Sequence, residues 1–165
     1  LNKAQPTVLL SAASGMSSSS SADAIQGILN QFNLSEDQAM HVADTVEKLS
    51  SEIALDFSKG CDTISQSIAT SGSVVNEAGM SFEKYAALVS TTAEKTRVSG
   101  SQIGNAFKTI FSRISRSKDG LTTDAEMSDA EAALKSVGVS VRRADGDLRD
   151  ISDTLDDLNK VCIMQ

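Results

Sequence analysis

From Ser35 onward the chain keeps returning to one local pattern: a serine, a glutamine or glutamate three residues later, then apolar residues three and four apart, then a glycine. Ser35 with Gln38, Ser99 with Gln102 and Ser128 with Glu131 have capping-box spacing, in which the hydroxyl accepts a backbone N–H and the longer side chain returns to the first residue's own N–H. Ser81 opens another such segment, with Met80 and Tyr85 spaced to staple it. Asn33, Gly79 and Gly138 stand where helices should stop, because the left-handed residue that closes a helix favours glycine or asparagine. A chain punctuated this often can make several short helices but not one long rod.

The apolar positions agree with that division. Ile25, Ile28, Leu29 and Phe32 line one helical face, and Ala39, Val42, Ala43, Val46 and Leu49 line the next. Phe82, Tyr85, Ala86, Val89 and Ala93 form a third stripe, and Ile103, Phe107, Ile110, Phe111 and Ile114 form the clearest one. Gly60 and Gly72 predict a bent or interrupted helix between Asp56 and Ala78, since each costs about 1 kcal/mol against alanine inside a helix. Residues 117–127 read as an exposed loop. Val139 and Val141 alternate with polar neighbours and Asp145-Gly146 is a two-residue turn signal, so a small hairpin returning through Leu148 is expected. A last helix follows, capped by Asp150 or Ser152 and packing through Ile151, Leu155 and Leu158.

The expected fold is therefore all-α, a compact bundle of about six or seven short helices with a small β-hairpin near the C-terminal end. One proline, no tryptophan and an abundance of alanine and serine favour helices over sheets. Residues 1–21 lack a clean period and end in a serine run, which reads as a linker or poorly ordered segment. Residues 22–165 form the helical module, and a first residue that is not methionine points to a fragment of a much longer chain.

No reacting centre emerges from the side chains. His41 is the one histidine, and its helical neighbours Asp44 and Thr45 supply no nucleophile paired with a positioned base. Cys61 and Cys162 match neither a zinc knuckle nor a redox pair and read as free thiols. A calcium loop aligned on Gly146 would need oxygen ligands where Val141 and Arg143 stand. The expectation is no catalysis, no cofactor and no metal. No apolar run approaches the ~18 residues of a membrane span. Twenty-two acids against fifteen bases, a net charge of −7, argue against specific nucleic-acid binding.

Against that acidic background, Lys95, Arg97, Lys108, Arg113, Arg116 and Lys118 fall in a stretch with no acid between Glu94 and Asp119. Helical spacing sets Lys108, Arg113 and Arg116 opposite the Ile103 and Phe107 face. They form either a solvated surface or a docking face for an acidic partner, such as Asp150, Asp153, Asp156 and Asp157 of a neighbouring copy. Gly100 and Gly104 make a small-xxx-small pair, which outside an apolar segment reads as close approach of another helix.

Several blocks together resemble the core region of phage tail tape-measure proteins. They are Gly-Met-Ser-Phe-Glu at Gly79 to Glu83, Ser-Gly-Ser-Gln-Ile-Gly-Asn-Ala-Phe-Lys at Ser99 to Lys108, Ile-Phe-Ser-Arg-Ile-Ser-Arg ending at Arg116, and Leu-Lys-Ser-Val-Gly-Val-Ser-Val at Leu134 to Val141. Asp145-Gly146-Asp147-Leu148-Arg149-Asp150 follows. The resemblance covers roughly Ala22 to Leu158 and lies in the order of elements more than in any single residue. It implies a virion structural protein inside the tail tube that sets tail length and leaves with the DNA. Tail tube, tail tip and tail-assembly chaperone proteins would be its partners, with self-association, in the tail lumen and earlier in the host cytoplasm. By physics alone, a free-standing helical adaptor or regulatory interaction domain has the same capped short helices.

Overall fold

The computed structural model describes residues 4–52, 57–115, 129–146, 149–150, 153–157 and 160. Seven α-helices stand among them: α1 (Ala4–Ser14), α2 (Ser18–Gln31), α3 (Ala39–Glu52), α4 (Phe57–Glu77), α5 (Phe82–Thr96), α6 (Gly100–Ser115) and α7 (Asp129–Ser136). A single 3-10 turn, Glu36–Gln38, leads into α3, and Ser35 N–H donates to Gln38 Oε1 at 3.1 Å just before it. Residues 153–157 are helical as well.

The helix ends follow from local chemistry. Gly79, at φ +91°, and Gly138, at φ +84°, close α4 and α7 in the left-handed region that a glycine reaches without a Cβ clash. Behind Gly79 the Met80 N–H reaches Val75 O at 3.2 Å and the Gly79 N–H reaches Asn76 O at 2.9 Å, the paired bonds of a Schellman motif. Buried Met80 and Val75 supply its apolar contact positions. Ser81 then caps α5 by accepting the Lys84 N–H at 3.4 Å. Replacing Ser81 with alanine should cost about 1 kcal/mol, read as a lower urea midpoint at unchanged slope.

Helix α4 is the centre of the bundle, packing on α2, α3, α5 and most extensively on α6. Its Ile64, Ile68 and Val75 are fully buried. The interruption expected at Gly60 and Gly72 does not occur, since α4 runs unbroken for 21 residues. Both glycines are packing positions. A Cβ on Gly60 would lie 3.2 Å from Ser50, and one on Gly72 would lie 2.9 Å from the Gln31 Cβ. Neighbouring helices held that close offset the helix propensity lost at each glycine.

Two further expectations are corrected. The segment read as a linker carries α1, whose Leu10 is 1% exposed and packs in the core, and the serine run supplies the cap and first turn of α2. Ser17 accepts the Ser20 N–H at 3.1 Å, and Ser21 is fully buried. Serines that look featureless by composition are held by tertiary contact. The expected β-hairpin is absent, because the described residues hold no strand or sheet. Between Val139 and Arg149 the chain makes a turn closed by the Gly146 N–H to Arg143 O at 3.1 Å. Arginines hold it: Arg142 donates to Gly146 O at 2.7 Å and Arg149 to Ser140 O at 2.9 Å. The backbone also crosses here, Arg149 N–H reaching Val141 O at 2.9 Å, but this isolated bond does not extend into a ladder among the described residues. Leu148, expected on the return strand, lies outside the described residues, as do Ile151, Leu158 and Cys162.

Candidate functional site

The surface that could recognise a partner is carried by α6, so its seating on α4 comes first. Gly100 and Gly104 sit over Thr63, Ser67 and Thr70 of α4, near enough that a Cβ on Gly104 would be 2.7 Å from the Thr70 Cβ. Ser67, fully buried, donates its hydroxyl to Gly100 O at 2.7 Å, so the first turn of α6 is fastened to the middle of α4. The later turns rest on Tyr85. Its ring meets Phe107 edge-on at 5.6 Å and Phe111 at 6.3 Å. Around it stand Phe32 and Phe82, making one aromatic cluster that joins α2, α5 and α6.

That seating decides which side of α6 faces out. Ile103 and Phe111 are buried and Phe107 is half-buried, while Ile110, placed by periodicity on the inner stripe, is 48% exposed. Lys108 stands two residues before it, also exposed and with no ion pair among the described residues. Of the other candidate docking residues, the side chain of Arg113 and all of Arg116 lie outside the described residues.

The acidic segment expected as a counterpart is partly engaged within its own chain. Asp150 takes Lys84 Nζ at 2.8 Å, and Asp157 takes Arg149 at 2.8 Å and Lys160 at 2.9 Å. Lys160 and Arg149 hold the Asp157 carboxyl below its usual range. Asp153 and Asp156 stay exposed. Where this segment lies along α5, it borders a shallow, open groove of about 430 Å³ lined by Met80, Lys84, Ala87, Leu88, Leu155 and Asp156, among others. The sequence gives no hint of this groove, because its walls are 75 residues apart from Met80 to Leu155 and are brought together by tertiary contacts such as the Lys84–Asp150 pair.

His41 is likewise explained by a distant partner, Glu83, whose carboxylate lies 2.7 Å from Nε2. Partial burial works to raise the Glu83 pKa, but the His41 hydrogen bond, its own N–H and Ser81 outweigh it, and the carboxyl sits below its ordinary value. Both side chains are half exposed, so the pair ties α3 to α5 at the surface at modest gain. Cys61 is buried, and that burial pushes its thiol up, away from the reactive thiolate. Among the described residues no cluster of ligating side chains could hold a metal ion, and no helix is long and apolar enough to cross a membrane.

These features define a helical packing module whose exposed chemistry is that of contact: an apolar residue beside a lysine on α6, and an apolar groove with an acidic rim on α5. The profile of the phage-related minor tail protein family matches residues 1–162, and the chain belongs to that family. It is a structural protein of the phage tail. Over 127 residues it is 28% identical to a protein of Escherichia phage P2 described as "Probable tape measure protein". That alignment covers 77% of this chain and 14% of the phage P2 protein, so the chain spans about a seventh of that relative's length. No solved structure matches it.

Proposed function

We propose that this chain is a folded station of a tape-measure protein, a module within the ruler that sets tail length and leaves the virion with the DNA. The observation that carries this reading is the similarity to the phage P2 protein along three quarters of the chain. The fold qualifies it. The longest helix among the described residues, α4, has 21 residues and spans only about 31 Å at ~1.5 Å per residue, so the module is no ruler shaft. Its role is to dock, in the tail lumen and earlier in the host cytoplasm, against tail tube, tail tip or chaperone proteins and against other copies. It has no catalytic part in that work.

Tail length tests it. Adding 70 helical residues in frame after Gln165 should lengthen tails by about 105 Å in negative stain, following the helical rise. Tails of unchanged length would overturn the ruler reading and leave the module as an adaptor of the tail.

A further inference from the structure

Two patches of opposite chemistry fit one another, and they do not meet within one molecule. The first is a knob: Ile110, 48% exposed on the outer side of α6, with Lys108 beside it. The second is the groove on α5, with Leu88 half-buried and Leu155 40% exposed on its walls and Asp156 at its rim. Ile110 does not line that groove. Lys84 at the groove pairs with Asp150, and Asp156 and Asp153 lie within the field of Lys84, with Lys160 also near Asp156, but neither acid forms an ion pair among the described residues. Asp150, Asp153, Asp156 and Asp157 against Lys84, Arg149 and Lys160 thus leave the rim with a small acidic excess.

We propose that the groove on α5 receives the Ile110 knob of a second copy of this chain, with Lys108 of that copy set against Asp156. The charges choose the occupant. A chain of net charge −7 repels its own copies over most of its surface, so two copies associate only where a basic element meets an acidic one. The acid-free run that carries Lys108 is the chain's largest basic stretch, and the groove rim is acidic. Apolar Ile110 and the Met80, Ala87, Leu88 and Leu155 walls supply the water-excluding centre of the contact. Because knob and groove are different surfaces, the contact is head-to-tail, and successive copies add in one direction, closing into a ring or continuing as a row.

Sedimentation velocity of this chain at low salt, with Lys108→Glu and Asp156→Lys variants, tests the proposal. Both side chains are exposed, so circular dichroism should match the wild type. The wild type should self-associate, and each reversal should weaken association about tenfold or more. Mixing the two variants should restore it, because the reversed charge at position 108 of one copy then faces the reversed charge at position 156 of the other. Association should also fall as salt rises past the point where the screening length is about 10 Å. Ile110→Ser should weaken it at every salt concentration. A wild type that stays monomeric, a Lys108→Glu variant that associates normally, or a mixture that does not recover would each overturn the contact. Tail length is read separately in phage, so a monomeric chain would sink this contact without touching the ruler reading.

Discussion

Gly100→Ala should destabilise the chain by about 3 kcal/mol and Gly104→Ala by about 2 kcal/mol, although alanine is normally the better helix former by about 0.5–1 kcal/mol. The sign is set by what the new methyl meets. At Gly100 a Cβ would overlap the backbone carbonyl of Thr63 and stand 2.8 Å from the Thr63 Cα. At Gly104 it would be 2.7 Å from the Thr70 Cβ and 2.9 Å from Ser67 O. Backbone atoms inside a packed helix cannot step aside as a flexible side-chain end can, so α6 must lift from α4. Lifting breaks the Ser67 bond to Gly100 O and opens the aromatic cluster behind it. Gly27 in α2 is the internal control, for a Cβ there meets nothing within 4 Å. Gly27→Ala should therefore stabilise by about 0.5–1 kcal/mol through the unfolded chain. In thermal melts Gly100→Ala should lower Tm by about 6 to 12 °C for a domain of this size. If all three variants melted together, the two α6 glycines would not be contact positions.

Those glycines also show where the sequence speaks and where it is silent. Spacing alone marks Gly100 and Gly104 as a close approach, and the caps at Ser81, Gly79 and Gly138 are readable because each involves atoms within five residues. The same reading allowed for an interruption at Gly60 and Gly72 that α4 does not have. A glycine that breaks a helix and one that admits a neighbour look alike until the neighbour is known, and here the neighbours are Ser50 and Gln31, ten and 41 residues away. The serine run misled for the same reason, since composition cannot reveal that Ser21 is buried. Alternation and a turn dipeptide, both real, point to a hairpin, but they cannot show that the pairing stops at an isolated bond, Arg149 N–H to Val141 O, with Arg142 and Arg149 side chains bonding neighbouring carbonyls. For the candidate docking surface, the basic stretch was legible as charge. Its use of Ile110 was not, because a stripe of five apolar residues is wider than the face α6 turns inward.

Tyr85→Ala should be the most damaging single truncation, at about 3–5 kcal/mol, a large share of the roughly 5–15 kcal/mol that holds a domain together. Tyr85 is fully buried and its ring touches Phe32, Phe107 and Phe111, so removing it leaves a cavity where α2, α5 and α6 meet. Its hydroxyl adds a second, separable effect. Ser71 donates its one hydroxyl proton to Ser67 O at 2.8 Å, so in the buried Ser71–Tyr85 pair it is the phenol that donates. Tyr85→Phe therefore leaves Ser71 with its donor satisfied and should cost only about 1 kcal/mol. Burial pushes the phenol from 10.0 up to about 12. A group whose folded pKa is raised loses its contribution as pH climbs, because the unfolded chain releases the proton first. Stability should be unaffected by this group below about pH 10, then fall by about 1.4 kcal/mol per pH unit to about pH 12. Lysines titrate in the same range, so the informative quantity is the difference between wild type and Tyr85→Phe, which removes only the phenol. With one tyrosine in the chain, tyrosinate absorbance reports this group alone. A wild-type phenol titrating near its ordinary value in the folded state, with alkaline stability curves parallel to those of Tyr85→Phe, would show that Tyr85 is not sealed beneath α6.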